Sequence, residues 1–245
     1  MTHSIMSKED AFKRLPDEKR IEIVTDGLDM KFTRRWFVHR NMTTFSTFLP
    51  PQYDGTTPVR MIQIGVFEGM DLVWQLQNTL KHPGSFAVGI DPWAETNKLD
   101  ANFMSEVEQR ARKNIRPWSG KVKLIKGYSQ DVLEKALRME LLEAVPTGYW
   151  DLVVIDGDHN QLPVLQDAVL AFRLLKPGGW MLFDDVRNRV DKRRHVAAGL
   201  RDFFVDYGSR IKRVWSHRFC ECYEKLPEPW EKHEPLEEIS SDSTE

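Results

Sequence analysis

Two acidic clusters end two apolar runs. Asp156-Gly157-Asp158-His159 follows "WDLVVI", and Asp184-Asp185 follows "WMLF". Apolar runs of this length between turn signals read as buried strands, so the acids stand where the chain leaves the core. Carboxylates converging in one cleft repel one another, and a hard cation with oxygen ligands is the simplest neutraliser. Mg²⁺ fits such a set best, because it accepts a few carboxylates and keeps other positions for water or substrate. A hydroxyl held beside the ion would lose its proton more readily. His159, whose ordinary pKa lies near neutrality, can accept that proton. The other reading is that Asp158 or Asp185 caps the following helix or turn and that no metal binds.

The elements that must position these acids follow from periodicity. From Val59, short apolar runs ("VRMIQIGV", "SFAVGID", "KVKLIKG", "WDLVVIDG", "WMLFDDV") alternate with helix-length amphipathic stretches. These are "DLVWQLQNTLK", "ANFMSEVEQRARKNI", "SQDVLEKALRMELLEAV" and "LPVLQDAVLAFRLL", with "RHVAAGLRDFFVDYG" after the fifth run. The alternation predicts a mostly parallel sheet covered by helices. "RIKRVWSHRFCECYEK" alternates like two strands joined near Ser216-His217-Arg218. Ahead of the sheet, "SKEDAFKRLPDEKRIEIV" and "KFTRRWFVHRNMTTFSTFL" predict a helical cap, and "PPQYDGTTP" (Pro50 to Pro58) a loop. The acidic, proline-bearing tail from about Leu226 is expected to be disordered.

Composition excludes several classes. With 245 residues and 41% hydrophobic content the chain can fill a substantial core, and a formal net charge of −2 gives no footprint for non-specific nucleic-acid binding. No apolar run approaches the roughly 18 residues that span a bilayer. The polar start "MTHSIMSKEDAFKRL" also lacks the apolar core of a secretory signal, so no membrane partner is expected and the compartment expected is the cytoplasm. Cys220 and Cys222 are expected on opposite faces of a strand, which disfavours a mutual disulfide.

Ligands of open α/β sheets bind outside the carboxyl ends of the strands. In "IQIGVFEGMD", Gly65 and Gly69 bracket a strand-to-helix turn. Phe67 stands where a dinucleotide fingerprint needs a second glycine, which counts against a dinucleotide. Asp91 ends the second strand, where an acid can accept hydrogen bonds from a ribose. Together they describe a pocket for a nucleoside with a small group attached. Alternatively Asp91 caps its own turn, as Asp before Pro often does.

In that order "IQIGVFEG", "VGIDPW", "KLIKGYSQDVL", "WDLVVIDGDH" and "LLKPGGWMLFDD" resemble the successive motifs of class I S-adenosylmethionine-dependent methyltransferases. Within that superfamily they are most similar to the metal-dependent small-molecule O-methyltransferases, the catechol-type and sugar- or antibiotic-tailoring group. The resemblance covers roughly Arg60 to Val186, with a continuation to Lys225. It implies an α/β, Rossmann-like class I methyltransferase fold: a mostly parallel seven-stranded sheet with a C-terminal antiparallel hairpin and an N-terminal helical cap. The implied division is 1–58 cap and loop, 59–225 methyltransferase domain and 226–245 tail.

The resemblance also implies roles. S-adenosyl-L-methionine would meet Gln63, Gly65 and Gly69 at its methionine part, Asp91 at the ribose, and Ser129 with Gln130 beside the adenine, with Asp156 also near it. A divalent cation, expected to be Mg²⁺, would lie on Asp156, Asp184 and Asp185. His159 stands where catechol-type relatives carry a lysine proposed as general base, and Asp158 where sugar-modifying relatives carry an acid. The chain departs from the pattern at Gln63, where this superfamily commonly has an acid; the glutamine oxygen can still accept from the cofactor's amino end.

The expected partner is a small hydroxylated acceptor, with nucleic acid disfavoured and a homodimer left open. The basic residues Arg187, Arg189, Lys192, Arg193 and Arg194 either hold an anionic group of the acceptor or form a solvated helix face. Trp36, Phe37, Phe45 and Phe48 of the cap either close over an acceptor ring or pack on the sheet. Trp93 and Trp118 read as core or rim residues. Competing readings are a metal-independent enzyme, an RNA-directed one, and a nucleoside-binding partner without activity. The motif after the fourth strand is not the Asn/Asp-Pro-Pro-aromatic type associated with methylation of base amino groups.

Overall fold

The five apolar runs form β1 (Arg60–Ile64), β2 (Phe86–Asp91), β3 (Val122–Lys126), β4 (Trp150–Ile155) and β5 (Leu175–Phe183). The structure, a computed structural model, describes residues 20–96, 99–138, 149–186 and 195–227. Neighbouring members of this group pair parallel, and all six residues of β4 are buried, as a strand covered on both faces requires. β7 (Cys220–Lys225) pairs antiparallel with β5, and β6 (Ile211–His217) antiparallel with β7. Among the described residues the sheet order is β3-β2-β1-β4-β5-β7-β6. The strand sequence reverses between β1 and β4, so the crevice that receives ligands in such sheets opens at their carboxyl ends.

Side chains alternate between two cores. On one face Met61 packs with the helices α1 (Trp36–Arg40), α2 (Met42–Gln52), α3 (Met70–Asn78) and α4 (Ala101–Ile115). On the other face Ile62 and Ile64 meet α5 (Ser129–Leu137), α6 (Gln161–Leu174) and α7 (His195–Tyr207). No helix among the described residues is long and apolar enough to cross a membrane.

Three expectations need correction. Cys220 and Cys222 share a face, because residues two apart in a strand point the same way; both free thiols lie in the cap-side core. Pro50 and Pro51 belong to the last turn of α2, which Tyr53 closes by donating its N–H to the Leu49 carbonyl, so the loop begins later than expected. Arg20 to Val24 is not helical: Ile21 donates its N–H to Ser46 Oγ and Val24 its N–H to Gln77 Oε1, which ties this segment across the cap. The rest of that expected helix, the basic residues 187–194 and nearly all of the tail lie outside the described residues.

Candidate active site at the carboxyl edge of the sheet

Backbone hydrogen bonds extend past the strand ends and fix the rim. Gly65 donates to Ile90, Asp156 to Ile64 and Asp184 to Ile155. Gly65 has φ +81°, and a Cβ there would lie 1.9 Å from the Asp156 carbonyl oxygen. Gly69, also left-handed at φ +80°, would press a Cβ to 2.9 Å from Ile115 Cδ1. Both glycines therefore admit the protein's own β4 and α4, a tighter demand than closeness to a ligand.

Asp91 serves the rim rather than facing an empty crevice. Its Oδ2 accepts the N–H groups of Val66 and Phe67, both at 2.9 Å, and its Oδ1 accepts that of Trp93 at 2.7 Å. Phe67 and Trp93 have φ of 50° and 40°, unfavourable for bulky side chains, and the Trp93 indole N–H donates to the Phe67 carbonyl. One carboxylate thus holds two strained residues in place. A carboxylate offers about four lone-pair sites, so capacity for a further donor remains.

Gln63 is 1% exposed and points to the cap side. Its Nε2 donates to the Gly65 carbonyl, while Oε1 is sealed and without a partner. An orphaned buried acceptor at the β1 end fits the expectation that this oxygen meets a donor on the cofactor. Beside it lies Asp71, which sequence reasoning passed over although it ends the quoted "IQIGVFEGMD". Burial, and then the charges of Asp156 and Asp184, push its carboxyl well above the usual range. At the other end, Ser129 Oγ and Gln130 Nε2 both donate to Asp167 Oδ1 at 2.7 Å. Asp167 was not singled out either; it is fully buried, and burial raises it to about 7.

At the β4 and β5 ends stand Asp156, Asp184 and Asp185. His159 lies between two of them, its Nε2 3.7 Å from Asp156 Oδ1 and its Nδ1 3.5 Å from Asp185 Oδ2. The Asp156 carboxylate beside it outweighs partial burial and raises His159 to about 9. Burial, and then Asp184, raises Asp156 to about 7; burial and Asp185 raise Asp184. Asp185 adopts φ +53°, a left-handed conformation that Asp tolerates better than most residues. Asp158 is turned elsewhere: its Oδ1 accepts the backbone and side-chain N–H groups of Asn160, both at 2.8 Å, in the turn that opens α6.

Both Asp184 oxygens are engaged. Oδ1 accepts the Asp185 N–H and the Cys220 thiol, and Oδ2 accepts Asn41 Nδ2 at 2.6 Å. Asn41 comes from the cap, between α1 and α2, a contribution that no sequence signal indicated. Among the described residues no group of three or more His, Cys, Asp and Glu side chains is gathered to hold an ion. The donor chemistry nonetheless suits a hard cation, since Asp156 and Asp185 present carboxylate oxygens to the space that His159 shares.

The cap aromatics divide. Phe37 and Phe45 pack edge-on or tilted against buried Trp74, and Phe48 stacks on Trp215 at 4.7 Å. Trp36 is 53% exposed and lies 5.0 Å from the ring of Phe67. The segment before α1 is tied to the rim by Glu68, which accepts the Thr33 N–H, the Thr33 hydroxyl and Arg110 Nε.

A protein family described as "Methyltransferase domain" matches residues 62–186. An uncharacterised protein of Acanthamoeba polyphaga mimivirus is 31% identical over 131 residues, 52% of this chain and 51% of that protein. The chain thus spans about half the length of the curated relative it matches. A provisionally assigned O-methyltransferase from Klebsiella pneumoniae superposes with a TM-score of 0.53 at 20% identity, over 74% of this chain and 79% of that one. MycE, a methyltransferase of the mycinamycin biosynthetic pathway solved with Mg, SAH and mycinamycin VI, gives 0.51 at 17% identity, over 80% and 51%. TomG, an O-methyltransferase from Streptomyces achromogenes involved in tomaymycin synthesis and solved with SAM, gives 0.50 at 17% identity, over 69% and 73%. At these identities the likeness establishes the Rossmann-like fold.

Proposed function

The chain belongs to the methyltransferase-domain family, and we propose that it transfers the methyl group of S-adenosylmethionine to a hydroxyl of a small-molecule acceptor, assisted by a divalent cation. The observation that carries this reading is His159 set between Asp156 and Asp185 at the rim where β4 and β5 end. Gln63, the Gly65–Gly69 turn, Asp91, Ser129 and Gln130 would hold the cofactor along the same rim. When bound, S-adenosylmethionine supplies an electrophilic methyl on a sulfonium. Asp156 and Asp185, with Asp184 behind them, would hold the cation, whose charge eases loss of the acceptor's proton. Mg²⁺ suits these hard oxygen donors, and MycE was solved with Mg.

His159 then receives the proton. Its elevation to about 9 comes from the surrounding carboxylates, so positive charge on Asp156 and Asp185 removes the cause and returns a ring nitrogen to service as acceptor. The side chain is 46% exposed, which lets the proton pass on to solvent. Trp36 and Phe67 offer an aromatic wall for the acceptor, and the buried cap aromatics exclude water beneath it.

One observation favours transfer without metal: Asp184 already has partners for both oxygens. An activity screen over hydroxylated small molecules, run with EDTA and again with Mg²⁺ restored, separates the two. Turnover that chelation leaves unchanged rejects the cation. His159→Gln is expected to lower turnover by about a hundredfold or more with cofactor affinity unchanged; full activity in that variant removes histidine as base. Calorimetry with S-adenosylhomocysteine tests the cofactor itself, and no binding overturns the whole reading.

A further inference from the structure

A second set of buried polar atoms lies under the β1–α3 turn. Gln63 Oε1, Asp71 Oδ1 and both polar atoms of Gln75 are sealed from water and have no hydrogen-bond partner. Gln75 is fully buried, and Gln63 Nε2 is already committed to the Gly65 carbonyl. Gln63 shares a sheet face with Met61, two residues before it, which packs in the cap-side core with Leu72 and Trp74 of α3. Asp71 and Gln75 are four apart on α3 and so lie on one helix face.

Counting donors and acceptors shows what is missing. Three acceptor oxygens, one of them on a carboxylate, stand against the amide nitrogens of Gln63, given to the Gly65 carbonyl, and Gln75; both lie close enough to Asp71 to favour its charged form without closing a hydrogen bond on Oδ1. Leaving such groups unpaired is costly, so the set calls for a partner. A cation carrying several N–H donors would satisfy the set. Mg²⁺ would not, because it keeps waters around it and two of the three oxygens belong to amides. Asp71 is only partly buried, so the cluster borders the crevice rather than lying wholly inside the core.

We propose that Asp71, together with Gln63 Oε1, receives the α-ammonium of the cofactor's methionine part. The inference rests on the reading of the chain as an S-adenosylmethionine enzyme and adds the residue that answers that ammonium: burial and the Asp156 and Asp184 charges favour its protonated form in the empty site, and an arriving cation offsets them and draws out the carboxylate. It also accounts for glutamine at 63: with Asp71 beside it, a second carboxylate there would add repulsion, whereas an amide donates to the Gly65 carbonyl and still turns an oxygen toward the ligand.

Binding measurements with three probes test it without any turnover. S-adenosylhomocysteine carries the ammonium, its desamino analogue lacks only that group, and 5′-methylthioadenosine lacks the whole amino-acid part. Asp71→Asn should weaken S-adenosylhomocysteine by about ten- to hundredfold and leave 5′-methylthioadenosine within about twofold. Wild-type protein should lose a similar factor with the desamino analogue, a comparison that needs no variant to fold. The variant should not discriminate between the analogue and the parent. Equal affinity of wild type for analogue and parent overturns the proposal, as does equal weakening of 5′-methylthioadenosine by Asp71→Asn. A variant that loses Mn²⁺ binding but keeps S-adenosylhomocysteine would move Asp71 to the cation site and also overturn it. If wild type binds neither nucleoside, the enzyme reading itself falls.

Discussion

Two strand ends carry aspartates in opposite conditions. At the end of β2, Asp91 accepts three backbone N–H groups and fixes Phe67 and Trp93 in strained conformations. At the ends of β4 and β5, Asp156 and Asp185 face each other's charge across His159. The first acid is engaged by its own chain on both oxygens and keeps lone-pair capacity for one further donor. The second group stores unfavourable charge that a ligand can relieve, as carboxylates at functional sites commonly do.

The contrast can be broken most violently at the glycine between the two ends. Gly65→Ala drives a methyl into the Asp156 carbonyl from a left-handed backbone, and it should cost about 4 kcal/mol or prevent folding, as urea denaturation would show. Asp91→Asn comes next. Replacing one oxygen by an N–H donor leaves a backbone donor facing a donor, so a loss of about 2–3 kcal/mol is expected by the same measurement. Asp156→Asn sharpens the comparison from the other side. It removes like-charge repulsion, so cation-free stability should change by less than about 1 kcal/mol while Mg²⁺-stimulated turnover collapses. A large destabilisation there would make Asp156 scaffold as well.

The smallest effect is the pH dependence of the cation-free protein. Asp156, raised to about 7, lies above its unfolded value of about 3.9, so the folded state holds an extra proton between those limits. Its contribution is present below about pH 4 and is lost as pH rises through 7. His159, raised to about 9 from about 6.5, contributes below pH 6.5 and loses that contribution through pH 9. Both terms have the same sign, so the thermal midpoint should drift down from pH 5 to pH 9. Mg²⁺ should flatten the drift. A midpoint that rises over this window contradicts the arrangement.

Much of the scaffold was legible because parallel strands read as apolar runs and helices as periodic ones. The order of β1 to β5, the C-terminal hairpin and the acids at the strand ends all follow from that. Pairwise geometry was less accessible. Gly65 looked like room for a ligand because the Asp156 carbonyl that fills the space lies ninety-one positions away. Asp71 carried no assignment in the sequence, since only the approach of β1 to α3 brings it beside Gln63. The signal that could have found it is the glutamine at 63, where an acid is common in the superfamily it resembles. Asn41 and Asp167 gave no sign at all, because each acts on a residue far along the chain.

Asn41 lies ahead of the stretch that matches the family, and yet it supplies a hydrogen-bond donor to Asp184. Trimming the protein back to its recognisable domain would leave Oδ2 of that carboxylate unanswered in an otherwise dry seam, with the Asp185 N–H and the Cys220 thiol both confined to Oδ1. The front segment is therefore as much a part of the machinery as the sheet it covers, and a shortened version should fail through misdirected aspartates before it fails through any loss of shelter.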